Sequence, residues 1–297
     1  MTPFDLLVDE ALRNQSALAP LRVVVEKELL HHDILREMAA IGVLQKLTFL
    51  GGTCLRACHG SHRLSEDLDF TGGHQFDRAD LADLGHHLVA GLKAKYGHPV
   101  SVSEPVREIG NVDTWKVRVI TRPDRGDTPA QRINIDICAI PSYDARPMLL
   151  RNPYGVDMGT SSLIVQAESR EEIFADKLVA LALRPNRLKF RDLWDIGWLK
   201  QQNIDVPMQM VLSKVRDHGR SKDEFLGLLD TRRDEVLRDA SLQEGFAREM
   251  RRFLAPRHLA GVIEPAYWQW LRSTVGEECA AVATALVEWD DDGGMRP

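Results

Sequence analysis

Residues 47–70 read LTFLGGTCLRACHGSHRLSEDLDF, and the fold of the chain turns on this stretch. The run Leu47 to Leu50 has the length and character of a short buried strand, and it stops at Gly51-Gly52. Thr53 is then predicted to open a short helix through TCLRACHG. The segment HRLSEDLDF alternates Leu64, Leu68 and Phe70 with polar residues, which predicts a loop entering a strand at about Asp67 to Phe70. On such a strand Asp67 and Asp69 share one face, and Leu68 and Phe70 turn to the core. Like charges so placed repel and drift toward protonation unless a cation lies between them. Mg²⁺ (or Mn²⁺) suits the position, because Mg²⁺ takes hard oxygen ligands and is commonly held by one or two carboxylates plus substrate phosphates. Upstream, Gly51 and Gly52 leave room for backbone amides to approach a phosphate, and the helix that follows Thr53 offers its positive end. A phosphate site beside a metal site points to phosphoryl or nucleotidyl transfer.

Working outward, residues 20–42 place apolar side chains at three- and four-residue steps and predict an amphipathic helix ending near Gly42. TWKVRVIT and QRINIDICAI alternate as half-buried strands of a hairpin, with the DRGD stretch Asp124 to Asp127 as its turn region. The second of these strands carries Asp136 on the polar face with Asn134, a third carboxylate able to complete a two-metal clamp. A further strand is expected at Leu163 to Ala167. Ser169 with Glu172 marks a helix start, Pro185 its end, and a second helix is expected from Phe190 to Gln202. Lys177 falls among the apolar positions Ile173, Ala180 and Leu181 of the first of these helices, where its ammonium either reaches a triphosphate or snorkels to water. Asp192, within the cluster Arg184, Arg187, Lys189, Arg191 and Asp195, is a candidate partner for Lys177 or for an acceptor group.

With 297 residues, 44% hydrophobic and 28% charged, the chain is long enough for two lobes with buried cores. A net charge of -6 excludes a protein that coats nucleic acid indiscriminately, which needs many cations against phosphates. No apolar run is long enough to span a bilayer, and the N-terminus lacks a basic signal region, so a cytoplasmic protein is expected with no membrane partner. Cys54, Cys58, His59 and His62 invite a zinc reading, but their spacing matches no usual ligand pattern, and packing as small apolar residues is expected for the cysteines. His31 and His32 have no serine or cysteine nucleophile pattern beside them. The arginines of the C-terminal region, Arg232, Arg233, Arg251 and Arg252 among them, alternate with acids as on a solvated helical face, and the tail DDDGGMRP is expected to fray.

The stretch GGTCLRACHGSHRLSEDLDF resembles the signature of the AbiEii/AbiGii toxin family, within the DNA polymerase beta-like nucleotidyltransferase superfamily. The superfamily pattern of a Gly-Gly or Gly-Ser turn followed by Asp-x-Asp is matched by Gly51, Gly52 or Thr53 and then by Asp67 and Asp69. More particular features of the family are matched by Arg63 and Ser65 before the acidic pair, by the helical Lys177, and by Arg191-Asp192. The likeness covers roughly residues 25 to 200. It implies a toxin paired with an antitoxin, with an NTP as co-substrate and the tRNA acceptor end as the target.

The expected architecture is α+β: a nucleotidyltransferase lobe, residues 1–167, with N-terminal helices and a mixed or antiparallel sheet flanked by helices, and a mainly helical lobe, residues 168–297, contributing Lys177 and Asp192 to the cleft. Asp67, Asp69 and Asp136 are expected to bind the metal, with Asp136 also placed to take the proton of the attacking hydroxyl. Gly51, Gly52, Thr53, Arg63 and Ser65 are expected around the phosphates, Lys177 at the triphosphate, and Asp192 orienting Lys177 or the acceptor. Two alternatives stay open: transfer to a protein or small molecule, such as an antitoxin or an aminoglycoside, and a nucleotide-binding regulatory module without catalysis.

Overall fold

Thr2 starts the first helix, α1 (Pro3–Asn14): its side chain accepts from the Asp5 amide while the Asp5 carboxylate caps back. A computed structural model describes residues 2–105, 111–124 and 129–288 of the chain. The expected amphipathic helix is α2 (Arg22–Ala40), and the chain leaves it through Gly42 at φ +75°. Next come β1 (Thr48–Leu50), α3 (Gly51–Ala57), β2 (Leu68–Thr71), α4 (Leu84–Tyr96) and β3 (Val100–Ser103). β4 (Val112–Val119) and β5 (Gln131–Cys138) pair antiparallel along their whole length, from Val112 opposite Cys138 to Val119 opposite Gln131. Their alternation explains the pairing: Trp115, Val117 and Val119 and Ile133, Ile135 and Ile137 are buried on one face. The turn region at Asp124 to Asp127 lies, apart from Asp124, outside the described residues, as does the tail 290–297. β6 (Ala145–Leu149) and β7 (Ile164–Glu168) complete a seven-stranded sheet in the order β3-β4-β5-β2-β1-β7-β6.

The sheet is mixed. β2 runs parallel to β5 and β1 parallel to β7, and the remaining neighbours are antiparallel. The chain divides into two compact units, the sheet-bearing one comprising residues 1–168 with 253–256 and the helical one comprising 169–252 with 257–297. The core of the first is built on Phe4, Leu29, Leu30, Phe49, Phe70 and Trp115, all at most 1% exposed.

The helical unit opens with α5 (Arg170–Leu183), whose N-cap Ser169 accepts from the Glu172 amide at 3.1 Å, and which ends ahead of Pro185. α6 (Phe190–Gln201), α7 (Met208–Asp217), α8 (Lys222–Arg238), α9 (Leu242–Met250), α10 (Pro256–Val262) and α11 (Pro265–Val287) follow. α6 and α11 approach closely at Gly197, where a Cβ would lie 2.6 Å from a methyl carbon of Leu271. Among the described residues no helix is long and apolar enough to cross a membrane.

Candidate active site

The strand β1 turns directly into α3. The helix begins at Gly51, two residues earlier than Thr53, and Leu50 holds the cap position in extended conformation. Gly51 makes this possible by taking φ +76°, a region that L side chains avoid. Thr53 is therefore not a cap. It is 2% exposed, and its hydroxyl donates to the Asp67 carbonyl, tying α3 to the start of the acidic strand.

Asp67 lies one residue ahead of β2, and its Oδ1 accepts from the Asn134 amide of β5 at 3.1 Å. Asp69 sits opposite Asp136 in the parallel β2–β5 register, and Asp136 in turn sits opposite Thr114 of β4. The Thr114 hydroxyl donates to Asp136 Oδ1 at 2.6 Å. Asp67, Asp69 and Asp136 are half-buried, whereas Leu68, Phe70, Ile135 and Ile137 are buried behind them, so the sheet carries an anionic row over an apolar one. Gly51 closes this row, since a Cβ there would lie 2.6 Å from Asp69 Oδ2.

Among the described residues, no three His, Cys, Asp or Glu side chains group tightly enough to hold a metal ion. Of the three aspartates, Asp67 has one carboxylate oxygen already engaged by the Asn134 amide. The in-register pair Asp69 and Asp136 nevertheless offers what Mg²⁺ asks of a protein in a phosphate-bearing complex, namely one or two hard carboxylates, with phosphate and water oxygens supplying the rest.

Arg63 and Ser65 stand behind the glycine turn, 2% and 5% exposed. Arg63 donates to the Leu64 carbonyl at 3.0 Å, and its guanidinium fills the space a Cβ on Gly52 would need. Ser65 Oγ lies 3.4 Å from that same position. In this arrangement the two residues shape the backbone that a phosphate would meet. Cys54 and Cys58 are fully buried, and burial, then the neighbouring Cys58, pushes the Cys54 thiol well above the ordinary range, so it behaves as a small apolar group. His59 bonds to the Glu168 carbonyl at 2.8 Å.

Within the helical unit, Lys177 of α5 forms ion pairs with Asp192 at 2.7 Å and Asp195 at 2.8 Å, both on α6. Arg184 donates to the second oxygen of Asp192 at 2.6 Å. Burial works against the Asp192 carboxylate, but Lys177 and Arg184 outweigh it and hold its pKa well below the usual range. Asp195 is the residue that the sequence reading passed over as a partner of Lys177. Its signal was available, since positions 192 and 195 are three apart on one helix and so share a face. Arg232 pairs with Glu235 at 2.6 Å and Arg233 with Asp230 at 3.6 Å, both along α8.

The family model described as nucleotidyl transferase AbiEii toxin, type IV TA system, matches residues 33–273. Among solved structures, MenT4, a nucleotidyltransferase toxin from Mycobacterium tuberculosis H37Rv, superposes with a TM-score of 0.57 at 15% identity, covering 99% of this chain and 92% of that one. That likeness speaks for the fold alone. JHP933 from Helicobacter pylori matches with a TM-score of 0.46 at 15% identity, over 88% of this chain and 94% of that one. No curated protein matches the chain.

Proposed function

The chain belongs to the AbiEii nucleotidyltransferase toxin family, and from that premise we propose that it moves a nucleoside monophosphate from an NTP to the 3′ acceptor end of tRNA in a Mg²⁺-dependent reaction. In this reading a hydroxyl oxygen of the acceptor attacks the α-phosphorus, a new P–O bond forms, the bond between the α- and β-phosphates breaks, and pyrophosphate leaves. The hydroxyl proton passes to Asp136, whose other demand is met by the Thr114 hydroxyl. Asp69 and Asp136, with Asp67 beside them, hold Mg²⁺. The metal, when bound, supplies charge neutralisation on the attacking and leaving oxygens. Gly51 and Gly52 admit the phosphates, Thr53, Arg63 and Ser65 keep that turn in shape, and Lys177, oriented by Asp192, offsets charge on the triphosphate.

The observation that carries the reading is the register that sets Asp69 beside Asp136 with no side chain on Gly51 to crowd them. A tRNA acceptor further accords with a toxin's task, because a blocked 3′ end cannot be aminoacylated. A cognate antitoxin and a cytoplasmic setting belong to the same reading. Purified protein incubated with Mg²⁺, each α-labelled NTP and total tRNA tests it, with Asp67→Ala as the control. Label on tRNA that the variant does not transfer is the expected result. Label on protein or a small molecule instead would replace the acceptor, and NTP binding without any transfer would leave a regulatory module.

A further inference from the structure

One face of α2 grips the two residues that lead into Asp67. Lys27 Nζ lies 3.0 Å from a carboxylate oxygen of Glu66. Glu28 Oε1 accepts the Ser65 amide at 2.9 Å. His31 Nε2 lies 3.0 Å from the Glu66 carbonyl. A carbonyl oxygen only accepts, so the proton in that bond belongs to Nε2, which fixes the tautomer of a neutral His31. Burial lowers the His31 pKa against the opposing pull of the Glu66 carbonyl, Glu28 and Asp67, which favours the neutral ring. Both Glu28 and His31 are buried, at 5% and 3% exposed.

Glu28 is itself anchored. Its other oxygen takes Arg56 Nε of α3 at 3.2 Å and the Tyr154 hydroxyl. The Ser65-Glu66 segment is thus held from α2, while the carbonyl of the next residue, Asp67, is held from α3 through Thr53. This matters because Asp67 precedes β2, outside the strand ladder, so its backbone is placed by the loop while its Oδ1 reaches the Asn134 amide of β5. The cavity beside this cluster, lined by Leu35, Ala57 and Pro153 as well as by Glu28, His31 and Arg56, measures about 20 Å³. That is roughly the room for one water, so the cluster is a brace and not a second substrate site.

We infer that His31, acting with Glu28, is a positioning residue that sets the height of Ser65-Glu66 and thereby aims the carboxylates of Asp67 and Asp69 at the metal. The inference rests on the reading of those aspartates as metal ligands, and it adds the residues that hold them in place. His31 touches neither substrate nor metal in this account.

The test compares His31→Leu, which removes the donor, with His31→Gln, whose amide nitrogen restores one at similar reach. Hydrogen exchange is measured across the whole chain, and transfer is measured against Mg²⁺ concentration. Faster exchange confined to residues 65–71 in His31→Leu is expected, with exchange near wild type in His31→Gln. The Mg²⁺ concentration for half-maximal transfer is expected to rise about tenfold in His31→Leu, in keeping with loss of one buried hydrogen bond, and to return within about threefold in His31→Gln. Unchanged exchange at 65–71, or equal damage in both variants with an unshifted Mg²⁺ requirement, overturns the inference. Failure of the nucleotidyltransferase reading is seen separately, as wild-type protein that transfers nothing, and the exchange data still decide the brace.

Discussion

Asp69 and Asp136 face one another across the parallel pair β2–β5, two carboxylates in register on one face of the sheet. Such neighbours repel in the absence of a cation and cooperate in its presence. Asp136→Asn is therefore expected to melt at or above the wild-type temperature in metal-free buffer. Wild type should gain thermal stability when Mg²⁺ and NTP are added together, by mass action, and the variant should gain little. Transfer should fall at least about a hundredfold. A variant that is destabilised without metal yet still turns over would remove Asp136 from the site.

Gly51 and Gly42 separate backbone strain from crowding. Both take a positive φ, +76° and +75°, so an alanine at either position costs about 1–2 kcal/mol of backbone strain. Only at Gly51 does the new Cβ collide with a carboxylate, at 2.6 Å from Asp69 Oδ2, whereas nothing lies within 4 Å of a Cβ on Gly42. Thermal melts are expected to show a loss in both variants, larger in Gly51→Ala. Activity assays are expected to show a severe defect in Gly51→Ala and near wild-type transfer in Gly42→Ala. Equal activity of the two variants would mean that Asp69 needs no exact seat.

How far this was legible depended on range along the chain. The glycine turn, the acidic strand, the β4–β5 hairpin and the Ser169 cap are short-range patterns, and each lies close to its expected position. The pairing of Asp69 with Asp136 joins residues far apart in sequence, and only the sheet order brings them together. β6 was illegible because it is an edge strand whose side chains are exposed or half-buried, so it carries no apolar alternation. α2 misled in the other direction. Between its apolar positions it carries Glu26, Glu28, His31, His32 and Asp33, and all are buried, each with a partner contributed from elsewhere in the fold. A polar position on a helix tells nothing of burial when the partner is supplied by tertiary structure.

His32 gives the protein a pH dependence. Its Nδ1 lies 2.8 Å from Thr160 Oγ1, and burial pushes its pKa from 6.5 down to about 4. The unfolded chain takes up this proton near pH 6.5 and the folded chain only near pH 4, so stability is full above the first value and declines through that window as the pH falls. The loss from this group approaches about 3 kcal/mol at the acid end. His31, also lowered by burial, adds in the same direction. Urea unfolding at pH 7.5 and at pH 5 should show the difference, and His32→Asn should shrink it. An unchanged pH slope in that variant would show that His32 takes up its proton at the same pH in the folded and the unfolded chain.

Lys177 has two roles to be separated, a structural one within its unit and the proposed one at the triphosphate. Removing it deprives the fully buried Asp195 and the nearly buried Asp192 of a shared cation, although Arg184 still serves Asp192. Lys177→Met is therefore expected to cost about 3 kcal/mol, the usual scale for breaking a buried ion pair from one side. Adding Asp195→Asn neutralises the carboxylate left behind, and most of that stability should return. Turnover should not return with it if Lys177 acts on the nucleotide, since the double variant restores the fold without restoring a cation. Steady-state transfer at saturating NTP, measured on the single and the double variant beside their melting temperatures, decides between the roles. Recovery of turnover in step with stability would leave Lys177 as a brace between α5 and α6, and the charge at the triphosphate would have to come from another residue.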